Sequence, residues 1–393
     1  MPQSCERLAW PVGESGTFAL PAAHRKQAMR ILASLCLILG LIVPGEPASA
    51  QSLEDMAGQM VMVGFRGSSP DAAGVRAVRE QIARGEIGGV TFLRINVDSL
   101  AAVSGINRSL IAARPWLPPF IALDQEGGQI ERLTAAVGFD EIPSARAVAA
   151  QTPDRARAIY AGLAGDLARL GFNVNLGPVV DLDINPDNPI IARYERAYGT
   201  DPVQVTALAS AFVEAHRGAG MATALKHFPG HGSSAADTHE GFVDVTGMWQ
   251  PIELEPYRDM IDADLADMVM VAHLYNADVQ GNDARQLPSS LSRTWIEGVL
   301  RDELGFAGVA ISDDLEMGAI RSRFDLHDTV VVAVEAGMDV LLFSNTAAYD
   351  RALGSEIHQI LVDEGRANPE FADRIAQSYG RILALKRKMG MIP

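Results

Sequence analysis

Residues Met221–Gly232 read M-A-T-A-L-K-H-F-P-G-H-G. The first half, Met221–Lys226, is apolar along most of its length, as a strand buried on both faces should be. The second half turns abruptly to Lys226, His227 and His231, in a loop that Pro229 and Gly230 keep from being helical. Apolar runs of the same kind recur in both directions. Upstream lie Met60–Phe65, Ile87–Leu93, Pro119–Leu123 and Phe172–Val180; downstream lie Asp267–His273, Gly308–Ser312 and Asp339–Ser344. Helical patterns fall between them: 72–84, 97–113, 153–170, 202–217, 252–263, 293–304, 326–336 and 347–364, with a last one over 370–388. Eight strands, each followed by a helix, predict an α/β fold, a single (β/α)8 TIM-type barrel over residues 51–393. A doubly wound open sheet is the runner-up, but no G-x-G-x-x-G follows the first strand. No linker or composition shift divides the stretch, so it reads as one domain.

Residues 1–50 read as a targeting segment and stand apart from the fold. Arg25, Lys26 and Arg30 flank the thirteen-residue apolar run Ile31–Val43, Pro44-Gly45 breaks it, and Ala48-Ser49-Ala50 is a small-x-small cleavage site. The run is too short for a permanent membrane span, which needs about twenty residues. A buried core helix is the competing reading; the basic flank and the Ala-Ser-Ala favour export, to the periplasm or outside the cell, over a cytoplasmic location. Met29 would give a signal peptide of ordinary length. Cys5 and Cys36, the two cysteines, both fall in this segment. A disulfide framework, a Cys-ligated zinc site and a cysteine nucleophile are thereby excluded from the rest.

The charge balance is 33 Lys+Arg against 49 Asp+Glu, a net charge of −16. A field of that sign argues against nucleic acid and against an anionic membrane surface as partners. In a barrel of this type the chemistry sits past the C-terminal ends of the strands. Those positions hold Asp124-Gln125-Glu126-Gly127-Gly128, Asp181-Leu182-Asp183, Lys226–Gly232, His273 and Asp313-Asp314. Lys226 and His227 read as substrate hydrogen-bonding groups, with His231 bracing the loop. Although His227 and His231 are four apart, the Pro-Gly between them prevents the helix of an H-E-x-x-H zinc site, so no metal and no cofactor are expected. Asp237-Thr238-His239 lies in the polar loop 232–241, where an Asp two residues before a His can fix its tautomer and leave one nitrogen for proton transfer. Asp313 should point into the barrel mouth as nucleophile, base or ligand, while Asp314 suits a helix N-cap. Asp124 and Arg132 offer a carboxylate and a guanidinium for a polyhydroxylated ligand. After the fourth strand come Arg193, Glu195 and Arg196, of which one arginine reaches the site.

Taken together these residues resemble glycoside hydrolase family 3, in its single-domain β-N-acetylglucosaminidase (NagZ-type) branch. The resemblance rests on Ile87-Gly88-Gly89-Val90, Asp124–Gly128, Glu195-Arg196-Ala197-Tyr198-Gly199, Lys226–Gly232, Asp237-Thr238-His239 and Ser312-Asp313-Asp314-Leu315. It implies a retaining exo-β-N-acetylglucosaminidase, with Asp313 as nucleophile and His239, paired with Asp237, as acid/base. It implies that Asp124, Arg132, Arg196, Lys226 and His227 bind the sugar. The implied substrate is a small carbohydrate, an N-acetylglucosaminyl glycoside such as a cell-wall muropeptide fragment. There are departures. Gln129 stands where relatives usually carry Arg, and the loop 190–196 is longer than usual, so Arg193 competes with Arg196 for the sugar. Many single-domain relatives are cytoplasmic, whereas this chain carries an export signal. Other branches draw the acid/base from a second domain; the 80 residues after Asp313 are taken up by the last strand and helices, so it is expected from the barrel's own loops.

An Asp-backed imidazole in place of the second carboxylate keeps a group that titrates near neutrality. Glu126 is the next candidate for acid/base should His239 fail. Alternatives are a β-glucosidase or β-xylosidase, a phosphorylase in which inorganic phosphate replaces water, and a non-catalytic exported sugar-binding barrel. Export itself is directly measurable. Mass spectrometry of the envelope-fraction protein is expected to find an N-terminus near Gln51, and full-length protein confined to the cytosol would contradict it.

Overall fold

The computed structural model describes residues 51–281 and 284–393; the expected targeting segment lies outside the described residues. The strands in chain order are β1 (Val61–Gly64), β2 (Gly89–Phe92), β3 (Phe120–Leu123), β4 (Val174–Asn175) and β5 (Ala222–Phe228). They continue as β6 (Val243–Asp244), β7 (Met268–Val271), β8 (Leu274–Tyr275), β9 (Val309–Ser312) and β10 (Leu341–Phe343). Eight of them pair in parallel in the order β10-β1-β2-β3-β4-β5-β7-β9. Ile311 bridges Val340, and Ser312 N–H donates to the Val340 carbonyl at 3.0 Å, which brings the two outer strands together. The result is a nearly closed (β/α)8 barrel; seven of its strands fall within the expected apolar runs, and β5 continues two residues past its run to Phe228, so that Lys226 and His227 lie on the strand and not in the loop expected for them. Val, Met, Ile and Leu dominate because both faces of every strand are covered, one by the barrel interior and one by helices.

The helices show why these segments wind. Pro153–Leu170 starts at Thr152, whose hydroxyl accepts from Arg155 N–H at 3.3 Å, with Pro153 in the first helical position. It buries Ala156, Tyr160, Leu163, Ala164 and Leu167, one stripe at helical spacing, against its neighbours. It stops at Gly171, whose φ of 92° lies in the left-handed region that a side chain disfavours. Asp201-Pro202 and Asn368-Pro369 begin two further helices in the same way.

Three other local expectations change. Of the run Phe172–Val180, only Val174–Asn175 pairs as regular ladder, since Pro178 has no N–H to give; the chain rejoins β5 through a bridge from Val179 to Lys226. The helix expected from residue 347 starts at Leu353, because Asn345 holds a preceding turn by accepting from Asp350 N–H and donating to the Asp350 carbonyl. Asp314 is not a helix N-cap: its Oδ1 accepts from Glu316 N–H at 3.1 Å and Ser344 N–H at 2.8 Å, tying the loop after β9 to β10. Among the described residues, no helix is long and apolar enough to cross a membrane.

The end of the barrel opposite the rim is held by buried charge. Asp339 is fully buried and takes bonds from Arg301, Arg374, Arg381, Ser378 and the Ala310 amide, so one carboxylate fastens two outer helices to the last strand. Lys386, on the final helix Pro369–Lys388, is equally buried but has no carboxylate partner among the described residues. Its ammonium donates to Gln59 Oε1 and the Pro118 carbonyl, both at 2.7 Å, and lies 4.7 Å from the Phe120 ring centroid. Burial first, then the field of Arg114, pushes it down to about 7.

The linkage has a definite sign. Between about pH 7 and an unfolded value near 10.5 the unfolded chain binds the extra proton, so this lysine makes stability rise with pH across that window. Lys386→Met is expected to remove up to about 1.4 kcal/mol per pH unit from that slope. Urea unfolding at several pH values above 7 measures it; parallel slopes for variant and parent would show that Lys386 stays charged in the fold.

Candidate active site

One irregularity in the sheet creates the site. Ala224 pairs with Met268, Leu225 with Val269 and Phe228 with Val271, so three steps along β5 cover two along β7. The extra residue breaks the two-residue alternation of a strand. Lys226 and His227, consecutive and both buried, therefore line one cavity of about 460 Å³ at the C-terminal mouth of the barrel. The eight side chains expected for catalysis and sugar binding line it: Asp124, Arg132, Arg196, Lys226, His227, Asp237, His239 and Asp313. Glu126, Tyr194, His231, Asp314, Ser344 and Thr346 join them.

The floor is a network of paired charges. Lys226 Nζ lies 2.7 Å from Asp124 Oδ1 and 2.6 Å from Glu126 Oε1. Arg132 donates to the other Asp124 oxygen at 2.8 Å. Arg196 clasps Glu126 with two parallel bonds, Nε and NH2 each at 2.8 Å, and donates to the Ile190 carbonyl at 3.1 Å. Burial works to raise both carboxyls, but the Lys226 ammonium with Arg132 holds Asp124, and the Arg196 guanidinium with Lys226 holds Glu126, below their ordinary values. Glu126 is thus an ionised structural anchor and not a proton donor. These fixed donors and acceptors suit hydroxyl groups, which can both give and take hydrogen bonds.

His227 is fully engaged. Its Nδ1–H donates to Asp181 at 2.6 Å, and its Nε2 accepts from Arg196 at 3.1 Å. Arginine can only donate, so its position assigns the tautomer. Asp181 also accepts from the backbone amides of His227 and His231, and although burial would raise it, the adjacent imidazoles and these bonds keep it low. His231 braces the loop as expected: burial pushes its imidazole down to about 4, which leaves it neutral. Asp181 stood at a strand end in the sequence, but nothing local tied it to residue 227.

Asp313 follows β9, and its amide donates to the Val271 carbonyl at 2.9 Å, which fixes where the side chain leaves the strand. Its Oδ1 accepts from Asp314 N–H at 2.8 Å. Burial raises this carboxyl, but the surrounding imidazoles of His227, His273 and His239 and the Asp314 amide outweigh it and leave it below the usual range, so it is ionised. His273 contributes position as well. Its Nε2–H donates to the Asp314 carbonyl at 2.9 Å, and its Nδ1 accepts from the Ser290 hydroxyl at 2.7 Å.

His239 differs from the floor. Its side chain is 61% exposed, within reach of a leaving group or of water. Asp237 Oδ1 accepts both the His239 amide at 2.9 Å and Nδ1–H at 2.7 Å, leaving Nε2 to exchange a proton. The loop starts from a fixed point: Glu253 Oε2 accepts the amides of Gly232 at 2.9 Å and Ser233 at 3.3 Å. Glu253 gave no sign in the sequence, since only the fold sets it 21 residues back against that loop. Arg193 does not compete with Arg196 in this cavity. It lines a neighbouring one of about 470 Å³, with Tyr194 and Asp237 shared between the two. Among the described residues no His, Cys, Asp and Glu side chains gather in the threes or more that could hold a metal ion.

Comparison with known proteins gives a consistent picture. The family model of the glycosyl hydrolase family 3 N-terminal domain matches residues 52–385. Beta-hexosaminidase A of Pseudoalteromonas piscicida is 32% identical over 366 residues, covering 85% of this chain and 61% of its own. Beta-hexosaminidase LpqI of Mycobacterium tuberculosis is 33% identical, with 77% of this chain and 76% of its own covered. The solved structure of a glycoside hydrolase family 3 beta-N-acetylglucosaminidase from Paenibacillus superposes with a TM-score of 0.78 at 33% identity, covering 87% of this chain and 63% of that one. The chain thus spans about three-fifths of the Pseudoalteromonas and Paenibacillus proteins.

Proposed function

The chain belongs to glycosyl hydrolase family 3, and on that premise we propose that it is a retaining exo-β-N-acetylhexosaminidase. One observation carries the reading: an ionised Asp313 and an Asp-backed, solvent-reachable His239 line the same cavity as a preformed hydroxyl-binding floor. Asp313 attacks the anomeric carbon, forming a carboxylate–sugar bond as the glycosidic C–O bond breaks, and His239 gives its proton to the departing oxygen. In the second half His239 takes a proton from water, whose oxygen joins the anomeric carbon and releases Asp313. Asp237 holds Nδ1 throughout, so the proton moves on Nε2. Asp124, Arg132 and Lys226 hold the sugar hydroxyls so that the reacting atoms stay aligned.

The neighbouring cavity supports an acidic aglycone, in keeping with fragments of cell wall met outside the cytoplasm. Arg193 sits 5.6 Å over the Tyr194 ring and makes no ion pair among the described residues. Asp237 and Glu240 line the same cavity, but Asp237 is committed to His239. An aromatic face beside an unpaired guanidinium suits a sugar ring that carries a carboxylate.

Asp313→Asn is expected to abolish turnover of an aryl β-N-acetylglucosaminide, and a fluorosugar inactivator to label the peptide that contains Asp313; His239→Ala is expected to lower kcat/KM for poor leaving groups by about 10²–10⁴-fold while sparing kcat/KM for activated ones, whose kcat falls because the second, water-consuming step loses its base. Label on Asp124 or Asp181 would refute the nucleophile, equal losses for all leaving groups would refute the acid/base, and product that is sugar 1-phosphate only when phosphate is present would replace hydrolysis with phosphorolysis. Separately, Arg193→Gln is expected to raise KM about tenfold for a carboxylate-bearing disaccharide, the size of one charge-assisted hydrogen bond, and to leave the neutral disaccharide unchanged. Equal effects on both would remove Arg193 from aglycone recognition.

A further inference from the structure

Nucleophile and acid/base arrive on different parts of the chain, and something must set their separation. Asp313 is fixed by β9, whereas His239 lies in a segment, 235–242, without helix or strand. The tip of that segment is bonded to the turn that follows Asp313. Gly318 N–H donates to the His239 carbonyl at 3.2 Å, and Ala319 N–H to the Thr238 carbonyl at 3.1 Å. The turn itself is rigidly seated: Leu315 N–H bonds the Leu342 carbonyl at 2.9 Å, and Leu315, Met317, Ala319 and Ile320 are buried.

Gly318 is what permits this contact. It opens the short helix Gly318–Arg321, and its backbone is not in the left-handed region, so no dihedral requires a glycine there. Space does. A Cβ at this position would lie 2.7 Å from the His239 carbonyl oxygen and 2.9 Å from the Glu240 carbonyl carbon. Both are backbone atoms, which cannot swing aside as a flexible side chain would.

We propose that Gly318 is a positioning residue, and that the turn after the nucleophile strand is the seat on which the acid/base loop is clamped, setting the distance from Asp313 to His239. This rests on the assignment of Asp313 and His239 made above. A methyl group at 318 would lift the backbone of His239 away from the sugar while leaving the floor of Asp124, Lys226 and Glu126 intact.

The test is Gly318→Ala, a substitution that by itself favours a helical turn, so loss of fold is not the expected result. Activated aryl N-acetylglucosaminides are expected to keep kcat/KM, which reports the first chemical step, within about threefold of the parent. Unactivated N,N′-diacetylchitobiose is expected to lose tenfold or more in kcat at unchanged KM, part of the range that general acid–base catalysis supplies. In the double variant with His239→Ala, Gly318→Ala is expected to add no further loss. Hydrogen exchange of the peptide spanning 235–242 is expected to quicken in Gly318→Ala. Unchanged exchange, equal losses on both substrates, or additive losses in the double variant would each overturn the proposal. His239→Ala alone tests the underlying assignment: without leaving-group dependence in that variant the acid/base reading falls, and with it Gly318's role in positioning the acid/base, even where exchange quickens.

Discussion

One buried ammonium organises the catalytic mouth. Lys226 Nζ stands within 2.7 Å of carboxylates from Asp124 and Glu126, on the loop after β3, and so ties that loop to β5. Each of these charges would be costly to bury alone, and the cost is offset only while the geometry holds. The two arginines extend the requirement. Arg132 completes Asp124, and Arg196 completes Glu126 while reaching back to His227. No member can move without stranding another, so the floor is rigid before any ligand arrives. Sites built in this way spend little free energy on reorganisation when substrate binds.

That rigidity explains the division of labour between two carboxylates and a histidine. Glu126 is close enough to the site to be considered for proton transfer, but two guanidinium bonds and an ammonium keep it ionised. A group locked as an anion cannot donate a proton. In the mechanism proposed above the acid/base comes from a less constrained place, the exposed imidazole of His239 on a loop. Freedom has its own cost, since a mobile donor loses alignment. Three contacts limit it: Asp237 holds the ring, Glu253 the base of the loop, and the turn at Gly318 its tip.

The opposite end of the barrel uses buried charge differently. Asp339 is held by arginines, Ser378 and the Ala310 amide, and Asp267 by Arg217, Thr223 and Lys388, so they fasten helices to strands and present nothing for chemistry. Lys386 plugs the same end by dipoles and an aromatic face in place of a counter-ion. The separation follows the general logic of parallel barrels, in which one rim carries stability and the other carries the reacting groups.

The eight apolar runs, the helical stripes between them and the ionisable residues at the strand ends were legible in the chain, because burial on both faces and helical periodicity are local properties. So were Asp313, His239, Asp237 and the five floor residues, since each lies at or just beyond a strand end or in a loop on that rim. The sequence alone did not show that Lys226 and His227 share one face, because that depends on a register shift against β7, a strand some forty residues on. Nor did it show that Glu126 belongs to Arg196, that Asp181 orients His227, or that Arg193 serves a neighbouring cavity. The first two are pairings 70 and 46 residues apart, and each group has several chemically equivalent partners along the chain. Residue type and spacing therefore determined which groups gather at the rim, while the closure of the barrel decided which of them neutralise one another and which stay free to react.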